Sequence, residues 1–96
     1  MKPVSTIIDF ETTLPTAIER MGELIRRFPG DPMLESIQRQ LNCVVVWTQG
    51  RRRPSDEQIE KLSFGIMASR AVQELDEECA DILHELSYFL HNWPKS

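Results

Sequence analysis

Between Ile59 and Leu75 the chain carries apolar residues on two opposite sides of any helix drawn through it. At roughly 100° per residue, Ile59, Leu62 and Ile66 form one stripe, while Phe64, Ala68, Ala71 and Leu75 form another, almost diametrically opposed. A helix on the outside of a small globule needs one apolar stripe, and a second must be covered by something else. Ser63, Gly65, Ala68, Ser69 and Ala71 are small enough for neighbouring helices to come close. The segment therefore predicts a central helix packed on both sides. Its alternative is a face around Phe64, Met67 and Ala71 shared with another protein or a second copy in a homodimer.

The flanking sequence supplies helices to pack against it. Leu14, Ala17, Ile18, Met21, Leu24, Ile25 and Phe28 follow the three-four spacing of one helix face. Thr12 or Thr13 can cap this first helix, with Pro15 in its first turn, and Pro29-Gly30 stops it. Residues 1–11 show no secure period: Ile7, Ile8 and Phe10 can form either an extended N-terminal arm, over residues 1–12, or an early helical turn. Asp31-Pro32 then starts a second helix with the stripe Leu34, Ile37, Leu41, Val44, Val45 and Thr48, which Gly50 ends as a left-handed cap. The run Val44-Val45-Val46 lowers helix propensity, but the heptad-like spacing from Leu34 outweighs it. Ser55-Asp56-Glu57-Gln58 is a capping-box sequence, so the third helix begins near Asp56. Asp76 can cap a last helix whose stripe is Cys79, Ile82, Leu83, Leu86, Leu90 and Trp93. The fold class is all-α: a compact antiparallel bundle of about four helices, a single domain over residues 1–96.

With 41% hydrophobic and 27% charged residues, the chain has the composition of a globular domain rather than a disordered one. Its longest apolar run, Cys43 to Trp47, is far too short to span a membrane, and the N-terminus has no signal-peptide core, so the expected location is cytoplasmic. A net charge of −4 disfavours nucleic acid and favours a basic protein partner. Cys43 and Cys79 both fall on the apolar sides of their predicted helices, as small core residues that stay reduced.

No group of residues forms a plausible catalytic or cofactor site. His84 and His91 share a face but stand about two turns apart, too far for one metal without further ligands. Gly22, Gly30, Gly50 and Gly65 are scattered, which gives no phosphate cradle, and no oxyanion loop accompanies Cys79 and His84. Arg51-Arg52-Arg53 lacks interleaved aromatics and reads as a solvated loop. The acidic run Glu74, Asp76, Glu77, Glu78 and Asp81 caps a helix and complements its dipole, and it can also meet a basic surface.

Arg27-Phe28-Pro29-Gly30, Gln40-Leu41 and Leu62-Ser63-Phe64-Gly65-Ile66-Met67-Ala68, followed by Glu74 with Asp76 and by Tyr88, stand in an order and spacing that matter. Over about Ala17 to Phe89 the chain resembles the small helical immunity proteins that protect bacteria against their own type VI secretion effectors of the NAD(P)+ glycohydrolase kind. The departures from the family pattern are the arm, Pro15 and the longer arginine-rich loop. The resemblance implies a protein that is not an enzyme and uses no cofactor or metal. Its partner would be a cognate effector toxin domain, bound stoichiometrically so that the toxin's active site is blocked; a non-inhibitory adaptor or effector chaperone is the other reading. The expected contact residues are Glu74, Asp76, Glu77, Glu78 and Asp81 as the electrostatic element, with Tyr88 and Phe64 as exposed aromatic anchors.

Overall fold

The computed structural model of the chain describes residues 4–94. Helix α1 spans Ile7–Arg27 and α2 spans Pro32–Trp47, followed by a short 3-10 turn at Gln49–Arg51. Helix α3 covers only Asp56–Glu60; α4, Phe64–Met67, runs on into a π turn at Ala68–Val72; α5 covers Glu77–His91. Helix α1 packs on α2 and α5, and the α4–π segment packs on the same two from the other side. These four units close a ring around one core, so the expected all-α bundle is the observed fold.

The first helix starts earlier than its periodicity implies. Thr6 caps it by accepting from the Asp9 amide at 3.0 Å, and the Asp9 carboxylate accepts from the Ser5 amide at 3.2 Å. Phe10, one turn in, stacks on Phe89 at a ring separation of 5.3 Å and meets the edge of Trp93 at 5.4 Å. Docking against the end of α5 stabilises turns that local propensity leaves undecided, so of the two alternatives the early helical turn forms, from Ile7 onward; residues 1–3 lie outside the described residues. Pro15 consequently sits inside the helix rather than in its first turn. It withholds a hydrogen bond from the Glu11 carbonyl on an exposed side, where water can take its place.

Helix α2 begins where Asp31-Pro32 predicts, with the Asp31 carboxylate accepting from the Met33 and Leu34 amides. Leu34, Ile37, Leu41 and Val44 enter the core. Val45 lies at the edge of the stripe and is exposed, and Val46 is 62% exposed on the outer side. Cys43 is also exposed, which corrects its assignment to the core: it lies more than about 100° around the helix from the Leu41–Val44 stripe. Cys79 is buried as expected.

The long two-faced helix does not exist. After the capping box at Ser55–Gln58, α3 stops at Glu60 and the chain turns through Lys61–Ser63 before α4 begins. A contact made across the sequence braces this break. The Gln40 side-chain carbonyl of α2 accepts the Ser63 amide at 2.7 Å, while its amide group donates to the Ser63 hydroxyl at 3.2 Å. The Lys61 and Leu62 amides already bond only three residues back, to the Gln58 and Ile59 carbonyls, and the Ser63 amide, held by Gln40, does not continue the ladder. Of the two predicted stripes, only the second packs as drawn. Phe64, Ala68 and Val72 are core residues, with Ala71 and Leu75 packed at its margin. The first stripe is dispersed: Ile59 is buried on α3, Leu62 is half-buried in the turn, and Ile66 is 65% exposed.

Candidate partner-binding surface

Helix α5 presents its outer side to solvent, opposite a core face of Cys79, Ile82, Leu83, Leu86 and Leu90. At roughly 100° per residue, Glu77, Asp81, His84 and Tyr88 fall within about 60° of one another on that outer side. Tyr88 points almost straight away from the core and is 68% exposed. Among the sequence-predicted contact residues, the fold therefore aligns Glu77, Asp81 and Tyr88 on one ridge.

The other acidic residues have structural work. The Asp76 carboxylate caps α5 by accepting the Cys79 amide at 3.0 Å and is paired with Arg20 of α1 at 3.3 Å. The same guanidinium reaches Glu78 at 3.1 Å. Arg20 thus ties the start of α5 to α1 and partly neutralises the run that sequence alone reads as a block of free charge. Glu74, Glu77 and Asp81 are exposed. Phe64 is not an exposed anchor: it is 1% exposed, and α4 turns it inward against the other helices.

Beside the Tyr88 ridge runs an open cleft of about 470 Å³ between α4 and α5, lined by Gly65, Ile66, Ser69, Arg70, Ser87 and Tyr88 among others. Gly65 sits at the closest approach of the two helices, because a Cβ built there would lie 2.6 Å from the Ser87 Oγ and 2.8 Å from its Cβ. Ile66 and Tyr88 stand on opposite sides of this contact. Ile66 is exposed although its spacing from Ile59 and Leu62 matches a buried stripe, because the break at Ser63 turns it outward.

The remaining chemistry-bearing residues are engaged locally. His84 Nε2 lies 2.9 Å from the Ser69 hydroxyl and His91 Nδ1 lies 2.8 Å from the Ser87 carbonyl oxygen. Burial pushes the Cys79 thiol up to about 11, reinforced by the Asp76 and Glu23 carboxylates and opposed by Arg20, so at neutral pH it is no nucleophile. In the arginine loop, Arg51 pairs with Glu11 at 2.8 Å and Arg53 with Asp56 at 2.7 Å, so two of the three arginines fasten the loop down. Among the described residues, no three His, Cys, Asp or Glu side chains are placed to hold a metal ion, and no helix is long and apolar enough to cross a membrane.

The pieces of sequence that carry the family resemblance prove to be structurally joined. Gln40 of α2 holds Ser63, the residue that opens α4, and Gly65 of the same run sets the spacing between α4 and α5. No curated protein and no solved structure matches the chain. The family model described as Tsi6 matches residues 10–92, from the Phe10 that locks α1 onto α5 to the end of α5 itself. The chain therefore belongs to the Tsi6 family, a family of type VI secretion immunity proteins.

Proposed function

We propose that this chain protects a bacterial cell by binding its cognate type VI effector toxin one to one and covering the toxin's active site, and that the toxin degrades NAD(P)+. Family membership over residues 10–92 is the observation that carries the reading. The choice of toxin chemistry rests on the likeness of the motifs at Arg27–Gly30, Gln40-Leu41 and Leu62–Ala68 to immunity proteins of that kind. A cleft that binds a dinucleotide needs cations to hold its pyrophosphate, and carboxylates on an inhibitor are attracted to the same cations. On this chain they are Glu77 and Asp81 on the α5 ridge, with Glu74 just before the helix and Tyr88 as an aromatic anchor. Asp76 and Glu78 act through Arg20 by holding the start of α5 in place and adding to the negative field. An inhibitor of this sort needs a rigid scaffold and a complementary surface but no catalytic group, cofactor or metal. Its place of action is the cytoplasm, where the dinucleotide pool lies.

Co-expression tests the proposal. Cells producing the toxin domain alone are expected to lose their NAD(P)+ and stop growing, and cells that also produce this chain are expected to keep both. If the toxin domain accumulates to higher levels beside this chain while the cells still lose their dinucleotides, the protein is a chaperone or adaptor and the inhibitory reading fails.

A further inference from the structure

We infer that the α4–α5 cleft seats an apolar anchor side chain presented by the toxin, beside a lysine or arginine that meets Glu77 and Asp81. The inference rests on the immunity reading and names the part of the surface that does the recognising. Three observations converge on it. Gly65 brings α4 so near Ser87 that the cleft narrows onto backbone and small side chains, with Ile66 and Tyr88 as its large apolar walls beside Arg70, His84 and His91. Those walls are 65% and 68% exposed, the two most exposed large apolar side chains of the described residues, and they face one space. A tyrosine beside an aliphatic residue around a concave floor is the composition of an interface hot spot rather than of a solvated helix face.

Charge selects the occupant. Asp81 and Glu77 lie on the same ridge as Tyr88, about 10 and 16 Å toward the helix start at 1.5 Å per residue. Among the described residues neither has an ion-pair partner, in contrast to Asp76 and Glu78, which Arg20 engages. The complementary surface therefore carries an apolar protrusion with a cation about two to three helical turns away. A second copy using this face brings its own Glu77 and Asp81 into the contact, where like charges repel.

The test uses the full chain and the purified toxin domain, with affinity measured by calorimetry and association rates by stopped flow at varied salt. The variants are Ile66→Ser, Tyr88→Ala and Asp81→Lys, with Val46→Ser on the outer side of α2 as an exposed apolar control. Ile66→Ser and Tyr88→Ala are each expected to weaken binding by about thirtyfold or more, the threshold of a hot spot. Asp81→Lys should slow association and flatten its salt dependence, and Val46→Ser should bind like the parent. All four sites are exposed, so unchanged circular dichroism and melting confirm intact folds. If the parent inhibits the toxin while Ile66→Ser and Tyr88→Ala bind as tightly as it does, the cleft is not the seat, and the immunity reading stands without it. If those variants abolish a dimer of this chain but leave toxin binding unchanged, the occupant is a second copy and the inference is overturned. If the parent neither binds nor inhibits the toxin, both readings fall.

Discussion

Gly65→Ala gives the sharpest test of how the cleft is built. In an ordinary helix the exchange adds up to about 1 kcal/mol of stability, because alanine loses less backbone freedom on folding than glycine. Here the added Cβ lies 2.6 Å from the Ser87 Oγ and 2.8 Å from its Cβ, where ordinary contact begins at 3.4 Å. A rotamer change of Ser87 moves the oxygen but leaves the Cβ where it is, so α4 and α5 must separate by roughly half an ångström or more. Overpacking of this kind costs about 1–3 kcal/mol. The net expectation is a loss of about 1–2 kcal/mol, read in urea as a midpoint lowered by about 0.5–1 M at unchanged slope. Ser87→Gly on its own should cost about 1 kcal/mol by weakening α5. Combined with Gly65→Ala it removes both offending atoms, so the double variant should be more stable than the sum of the singles by about 1 kcal/mol or more. Ser87→Ala removes only the oxygen and should rescue less. If Gly65→Ala is as stable as the parent, or if its cost and that of Ser87→Gly simply add, the close approach of the two helices is refuted.

The helix start at Asp76 separates cap from charge. Asp76→Ala loses both and should cost about 1–2 kcal/mol, whereas Asp76→Asn keeps an acceptor for the Cys79 amide and should cost less than about 1 kcal/mol, a difference that shrinks with added salt only as far as the Arg20 pair contributes. A thiol reagent should modify Cys43 readily in the native protein and Cys79 only after unfolding. Because the Cys79 thiol is raised from 9.0 to about 11 on folding, the unfolded chain releases that proton first, and native stability should fall as pH rises from about 9 to 11, with a shallower fall in Cys79→Ala. Pro15→Ala restores the amide that Glu11 lacks and should raise the melting midpoint by a few degrees; a drop would show that the helix depends on the ring.

Features encoded by neighbouring residues were legible in the sequence. The caps at Asp31, Ser55 and Asp76 need only a side-chain oxygen two or three residues ahead of an amide, and all three form as read. The stripes of α2 and α5 follow from helical periodicity because each of these helices has one core side. Thr6 with Asp9 is the same kind of local signal, but Pro15 favours a later start, and the aromatic cluster of Phe10, Phe89 and Trp93 that favours the earlier one joins opposite ends of the chain. The break at Ser63 was hidden for a similar reason. Nothing between Ile59 and Leu75 is a proline, and the side chain that holds the break, Gln40, lies on α2. The surface was half legible: Glu77, Asp81 and Tyr88 share a face by spacing alone. Phe64, expected as an exposed anchor, is buried, and Ile66, expected in a buried stripe, is exposed, because the helix breaks at Ser63. Arg20 as the partner of Asp76 and Glu78 left no mark in the sequence.

Titrating the toxin's own reaction tests directly whether, as proposed, this chain silences it by covering its active site. Purified toxin domain at a fixed concentration well above the dissociation constant, turning over NAD(P)+, should lose activity linearly as this chain is added and reach zero at one equivalent. A complex that forms at one equivalent yet leaves turnover undiminished would contradict the account.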